Sequence, residues 1–178
     1  MFAVTENLLL RPGWAEDAEA IAAAIADKGI VRNLARAPWP YSLDDARAHL
    51  VRMDAATLPV MLVTTRSNAQ IVGILGFDRM EDGSIDMGYW IARSHWGKGY
   101  ATEAGRAGLE IMRTLGHCRI TAGHFIDNPA SGRVLRKLGF VPTGEIVTRT
   151  SCGRDEDVDV LMYALDLSAD EAAQVRAA

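Results

Sequence analysis

The segment Ser94-His95-Trp96-Gly97-Lys98-Gly99-Tyr100-Ala101-Thr102-Glu103 constrains this chain more than any other, because two nearly adjacent glycines join a strand-like run to a helix-like run. Upstream, Ile85-Asp86-Met87-Gly88-Tyr89-Trp90-Ile91 is rich in aromatic and apolar residues. Downstream, Ala104, Ala107, Gly108, Ile111, Met112 and Leu115 recur at helical spacing. A glycine turn at a helix start exposes backbone N–H groups that lack intrahelical acceptors, and the helix dipole favours an anion there. Strand, turn and helix together predict a pyrophosphate cradle, although a glycine pair by itself also suits a plain tight connection.

Two common phosphate loops do not fit. A dinucleotide fingerprint needs a third glycine three residues after Gly99, where Thr102 stands. A P-loop needs Lys and then Ser or Thr around its last glycine, and Gly99 is followed by Tyr100-Ala101.

At 178 residues the chain is long enough for one well-buried domain. A formal net charge of −4 argues against a nucleic-acid-coating protein, so DNA is not expected as a partner. Locally the sign reverses: Arg93, Lys98 and Arg106 stand against Glu103, and Arg119, Arg133, Arg136 and Lys137 against Asp127. These runs flank the glycine turn and suit a polyanionic ligand, though solvated helix faces look the same. Cys118 and Cys152 are the only cysteines, and no apolar N-terminal run follows a basic start; a reduced, cytoplasmic protein is expected. No apolar stretch reaches the roughly 18 residues of a membrane span. His117, Cys118 and His124 make a poor coordination set, so no metal is expected.

Leu8-Leu9-Leu10-Arg11-Pro12 reads as an opening strand, Trp14 to Asp27 as an alanine-rich helix, and Ser42 as the N-cap of a helix through Arg52. Pro59 to Thr65, Ile71 to Asp78 and Ser84 to Ala92 predict an antiparallel meander. After a helix from Ala101 to Leu115 come a strand from Cys118 to Phe125 and a short helix opened by Asn128-Pro129 and ended by Gly139. Two closing strands are expected at Phe140-Val141 and from Asp157 to Leu165. The expected fold is α/β (α+β), with a mixed, mostly antiparallel central sheet of about seven strands and helices on both faces. One domain would cover residues 1–167, and residues 168–178 would form a polar tail, helical or not.

Two motifs resemble a known family. Tyr89-Trp90-Ile91 through Trp96-Gly97-Lys98-Gly99-Tyr100-Ala101-Thr102-Glu103-Ala104, followed by Asn128-Pro129-Ala130-Ser131 through Leu138-Gly139-Phe140, look like the acetyl-CoA motifs of the GNAT superfamily of N-acetyltransferases. Leu10-Arg11-Pro12 with Asp17-Ala18, and Pro40-Tyr41-Ser42 with Asp45-Ala46, look like the opening of its RimJ/RimL-type branch, the ribosomal-protein N-terminal acetyltransferases and their relatives. One departure is Ser94, where the superfamily's turn often carries Gln or Arg; the backbone donors are untouched by it.

The resemblance implies acetyl-CoA as cosubstrate, with the N–H groups of Gly97, Lys98, Gly99, Tyr100, Ala101 and Thr102 on the pyrophosphate. The backbone of Tyr89, Trp90 and Ile91 would pair with the pantetheine arm like an added strand, beside a bulge at Gly88. Asn128 is either a coenzyme ligand or only a helix N-cap, and Arg133 and Lys137 are either phosphate contacts or an exposed face. Acyl transfer asks for a proton acceptor on the amine, an oxyanion donor and a proton donor for the leaving thiolate. Ser131 matches the serine that related enzymes use as general acid, and a first-turn helix hydroxyl explains it equally. Asp86, two residues before Gly88 and so on its side of the strand, is the first candidate base or else an exposed strand carboxylate, and His124 is the second, with a buried or rim histidine as its other reading. Glu103 reads as a brace for the turn. Trp39 and Tyr41, with Trp14, are expected to wall the acceptor, and Pro38-Trp39-Pro40-Tyr41 reads equally as core and loop scaffolding. The acceptor is a primary amine, of a ribosomal-protein N-terminus or a small molecule, attacked directly in a ternary complex; a homodimer is compatible with this. The alternative is a catalytically silent acetyl-CoA-binding module.

Overall fold

A computed structural model of the protein describes residues 1–168. Its strands are β1 (Ala3–Val4), β2 (Leu8–Arg11), β3 (Val60–Thr65), β4 (Ile71–Arg79), β5 (Ile85–Ile91), β6 (Arg119–Phe125), β7 (Val141–Ser151) and β8 (Glu156–Asp166). The helices are α1 (Ala18–Ile25), α2 (Lys28–Val31), α3 (Leu43–Asp54), α4 (Tyr100–Thr114) and α5 (Pro129–Lys137). The strands form one sheet in the order β1-β2-β3-β4-β5-β6-β8-β7, with β5 and β6 parallel and the other neighbours antiparallel. The fold is thus the expected mixed α/β sheet, with eight strands rather than about seven.

Both faces of the sheet centre are covered, which is why β4 reads as the nearly continuous apolar run Ile71-Val72-Gly73-Ile74-Leu75-Gly76-Phe77 rather than an alternating one. On one face Val63, Leu75, Phe77, Met87 and Ile91 pack against Ala104, Leu109 and Met112 of α4 and Leu135 of α5. On the other, Leu62 and Ile74 pack against Ala18 and Ile21 of α1 and Ala46, Leu50 and Met53 of α3. Helix α4 lies so close to β4 that a Cβ on Gly108 would sit 2.3 Å from Leu75 Cδ2. A side chain there would have to displace Leu75 or the helix that carries the glycine turn.

Local signals explain several boundaries. Ser42 Oγ accepts from the Asp45 N–H at 3.1 Å while Asp45 reaches back to Ser42, a reciprocal capping box that starts α3 where the sequence predicts. Pro129 occupies the first turn of α5, and Gly139 follows the helix at φ +91°. The helix expected from Trp14 to Asp27 is broken: a 3₁₀ turn, Ala15–Asp17, precedes α1, and α2 is a separate element for which Asp27 accepts from the Gly29 N–H at 2.6 Å.

The largest correction is β7. Only Phe140-Val141 is expected as strand, yet β7 runs eleven residues. Pro142 and Gly144 disguise its start, where the register to β8 slips between Pro142 and Ile146. As an edge strand it is exposed over most of its length, so it carries no alternating pattern. The tail from 168 on, predicted as polar and helical or not, lies outside the described residues apart from Ser168.

Candidate active site

Strands β5 and β6 are in register at Asp86 opposite Thr121, close to the start of β5. Beyond that point β6 pairs along its whole length with β8, and β5 with β4 through Ile91. Among the described residues β5 and β6 are in register only at Asp86–Thr121, so the parallel pair parts beyond it, and Gly88, Tyr89 and Trp90 turn one backbone edge towards the gap. A Cβ on Gly88 would meet nothing within 4 Å. The bulge expected there is not found against β4, whose register with β5 is unbroken from Gly73–Ile91 to Arg79–Ile85. What gives way is the contact with β6.

The glycine turn follows. Gly97 and Gly99 have φ of +78° and +82°, in the left-handed region that favours glycine. Gly99 is the N-cap of α4 and provides no side-chain cap. The first N–H groups of the helix are thus left for another acceptor, and a Cβ on either glycine would meet nothing within 4 Å. The turn is held from behind: Trp96 Nε1 donates to Ile91 O at 2.7 Å, Arg93 lies over the Trp96 ring at 4.9 Å, and His95 stacks on Tyr100 with ring centroids 5.9 Å apart. Lys98 is exposed, its ammonium 6.0 Å from the Tyr100 ring. Glu103 braces the first turn of α4, accepting from Thr5 Oγ1 at 2.6 Å and the Asn7 N–H at 2.7 Å. Burial pushes its carboxyl up, but these hydrogen bonds outweigh that and lower it.

Ser131, in the first turn of α5, faces the same gap. Its Oγ lies 2.8 Å from Tyr89 Oη, and its N–H donates to Asn128 Oδ1 at 3.4 Å. Asn128 is therefore the N-cap, and its side-chain NH₂ is a separate donor. Burial pushes the Tyr89 hydroxyl up to about 12, against the smaller opposing effect of its bond to Ser131. Arg133 and Lys137, one turn apart on α5, are exposed.

The opposite face of β5 carries Asp86 and Trp90. Asp86 Oδ1 accepts from Thr121 Oγ1 at 3.2 Å, and Oδ2 pairs with Arg149 of β7 at 3.0 Å. Directly across the β4–β5 ladder stands Asp78, itself paired with Arg36. Two like charges in opposed positions repel, and the two guanidiniums offset that. Trp90 packs with Tyr41 against the cores under α1, α2 and α3. Trp39, in the same loop as Tyr41, is 39% exposed. Trp14 is the N-cap of the 3₁₀ turn before α1, with the Arg11 guanidinium 4.3 Å over its ring. His49 of α3 is close enough to Arg36 and Asp78 to feel both charges; burial, then Arg52 and Arg36, push its imidazole down to about 4. Its Nε2 is buried without a hydrogen-bond partner.

His124 is not brought to this face. Along β6 it alternates with Thr121's side, pointing towards α5, and is 7% exposed. Its Nδ1 lies 2.8 Å from Phe125 O and its Nε2 3.4 Å from Tyr163 Oη, and a Cβ on Gly132 would come within 2.5 Å of that Nε2. Buried and with both nitrogens within reach of a partner, it matches the buried histidine of its other reading. Arg149, Thr121 and the Arg36–Asp78 pair are not singled out by the sequence. Arg149 in particular sits on the strand whose extent the sequence hides. Among the described residues no group of three or more His, Cys, Asp or Glu is placed to hold a metal ion, and no helix is long and apolar enough to cross a membrane.

Comparison with known proteins gives this geometry a family. The chain is 26% identical over 168 residues to the uncharacterised N-acetyltransferase p20 of Bacillus licheniformis, covering 90% of this chain and 93% of that protein. It is 29% identical over 104 residues to the ribosomal-protein-serine acetyltransferase of Escherichia coli, 53% and 54% of the two chains. In fold it resembles a GNAT-family acetyltransferase from Bacillus anthracis (TM-score 0.80, 23% identity, 93% and 98% covered). It also resembles RimL, the ribosomal L7/L12 alpha-N-protein acetyltransferase solved with coenzyme A (TM-score 0.79, 21% identity, 95% and 99% covered). The profile of the acetyltransferase (GNAT) domain matches residues 7–141, and the chain accordingly belongs to the GNAT family of N-acetyltransferases.

Proposed function

We propose that this enzyme transfers acetyl from acetyl-CoA to a primary amine, of a protein N-terminus or a small molecule, by direct attack in a ternary complex. The observation that carries the reading is the parted β5 edge beside the uncapped N-terminus of α4, with a serine hydroxyl across the gap. The open space in front of Gly97 and Gly99 fits a pyrophosphate on the N–H groups of residues 97–102. Lys98, Arg133 and Lys137 add positive charge around it, and Asn128 offers its amide to the arm. The β5 edge at Tyr89, Trp90 and Ile91 takes the arm by strand addition and supplies an N–H to the developing oxyanion. Bound there, the cosubstrate supplies an acetyl group activated as a thioester.

From the other face, Asp86 orients the acceptor amine and takes its proton, directly or through water, while Ser131 protonates the leaving thiolate. Trp39 and Tyr41 border the acceptor's approach. Neither cysteine is invoked as an acyl carrier. Both are exposed: Cys118 lies before β6 and Cys152 in the β7–β8 turn.

The decisive experiment incubates a cell lysate with enzyme and isotope-labelled acetyl-CoA and identifies the labelled amines by mass spectrometry. Purified acceptor and enzyme should then release free thiol, and Ser131→Ala should lower kcat by roughly 10²-fold. Coenzyme A binding with no amine acetylated would instead mark a silent binding module.

A further inference from the structure

The hydroxyl pair formed by Tyr89 and Ser131 is left unexplained by a role for Tyr89 in backbone pairing alone. Tyr89 sits mid-strand in β5 with its ring packed on the core under α4 and α5, and its Oη reaches Ser131 Oγ at 2.8 Å. The alternative acceptor, Ser131 O, is at 3.4 Å. A serine hydroxyl has one hydrogen and two lone pairs, and the hydrogen rotates to suit its surroundings. A neighbour that donates to the oxygen therefore decides where the serine's own hydrogen can go.

Resting on the reading of Ser131 as proton donor, we propose that Tyr89 is a positioning residue: its Oη–H donates to Ser131 Oγ and turns the serine hydrogen towards the sulfur of the acyl donor. Burial keeps the phenol protonated throughout the working pH range, so it stays a donor to Ser131 and does not itself give up a proton. The proton balance is simple. The amine nitrogen forms the new C–N bond and its proton passes to Asp86 and on to solvent. The C–S bond breaks with its electron pair on sulfur, which takes the Ser131 proton, and Ser131 is reprotonated from solvent. Tyr89 keeps its proton from beginning to end. The donated bond also polarises the serine O–H, as hydrogen bonds in chains do.

Both residues are anchored for this task by different parts of the fold. The Ser131 backbone is fixed by the Asn128 cap at the start of α5, and the Tyr89 backbone by its ladder to Leu75 of β4. Their side chains meet across the gap where β5 leaves β6, forty-two positions apart in sequence. The contact therefore reports the spacing of the gap itself.

The test is a double-mutant cycle with Tyr89→Phe and Ser131→Ala, read in two ways. In turnover, Tyr89→Phe should lower kcat about tenfold with KM for acetyl-CoA within about twofold, and should cost nothing further in the Ser131→Ala background. In binding alone, thiolate absorbance of enzyme-bound coenzyme A should show the thiol pKa raised by about one pH unit in Tyr89→Phe, and no higher in the double variant than in Ser131→Ala. Equal losses in both backgrounds, or an unmoved thiol pKa, would overturn the assignment and leave Tyr89 as packing. The binding readout needs no acceptor. If wild type acetylates no amine but Tyr89→Phe still shifts the bound thiol, the transferase reading fails and the positioning of Ser131 by Tyr89 stands.

Discussion

The two sides of β5 are built from different materials. On the α4 and α5 side, the proposed donor site is mostly backbone: a strand edge, a two-glycine turn and helix N–H groups, all between residues 88 and 102. On the other side, polar side chains meet from distant segments: Asp86 with Arg149, sixty-three positions away, and Asp78 with Arg36, forty-two away. Backbone recognition suits a ligand common to a whole family, because it depends on conformation and survives side-chain change. Side-chain recognition can be retuned one residue at a time, which suits an acceptor that differs between relatives.

The side proposed for the acceptor is also braced by contacts of long sequence range. The β7–β8 turn docks on the segment after α2, with the Cys152 N–H donating to Ala35 O at 2.8 Å and Ser151 Oγ to Leu34 O at 3.1 Å. Arg154 holds Asp127 through two bonds of 2.8 Å. Asp127 is held low by these bonds to Arg154, against the smaller effect of its burial. The β7–β8 turn is thus fixed to the segment whose Leu34 packs, as Trp90 does, against the small core of Ile25, Ile30 and Val31.

The contrast between the two sides is open to direct attack. The largest effect is expected from Asp86→Asn, which removes the carboxylate and keeps the shape: acetylation should fall about 100-fold while coenzyme A affinity stays within about twofold. Equal damage to both, by kinetics and calorimetry, would show that the two sides are not separable.

Gly99→Val attacks the donor side through its backbone alone. The new side chain meets open space, but a β-branched residue at φ +82° is strained. Coenzyme A binding should weaken about tenfold, or roughly 1.4 kcal/mol, because the turn relaxes away from the phosphate geometry. Unchanged affinity would remove the turn from the cradle.

The smallest effect concerns His49. The unfolded imidazole takes a proton near its ordinary value of 6.5, whereas burial in the fold delays this to about 4. Between those values the unfolded state holds more protons, so stability falls as pH drops. Urea unfolding should show a loss on the order of 1 kcal/mol from pH 7 to 5, allowing for partial solvent access. His49→Gln should flatten that slope. The lowered carboxyls of Asp17, Glu103 and Asp127 lose their stabilisation at lower pH, as it falls through their folded values below the ordinary carboxylate range.

Legibility in the sequence follows the same divide. The Ser42 cap, Pro129 at the start of α5, the β3–β4–β5 meander and the strand-turn-helix of the donor side are all written in neighbouring residues. What the sequence hides depends on partners far along the chain. His124, on the α5 side of β6, is buried by Gly132 and Tyr163, partners that its own neighbours in sequence do not reveal. β7 is a strand because β8 pairs with it, not because its own residues alternate.

By itself, then, the sequence determined the glycine turn, the helix it starts and the strand before it, because φ preferences, caps and periodicity act within a few residues. The parting of β5 from β6, the meeting of Tyr89 with Ser131 and the pairing of Asp86 with Arg149 were decided by the tertiary structure alone. Each is a contact between elements that no local propensity encodes, and only the packing of the whole sheet fixes the distance between them.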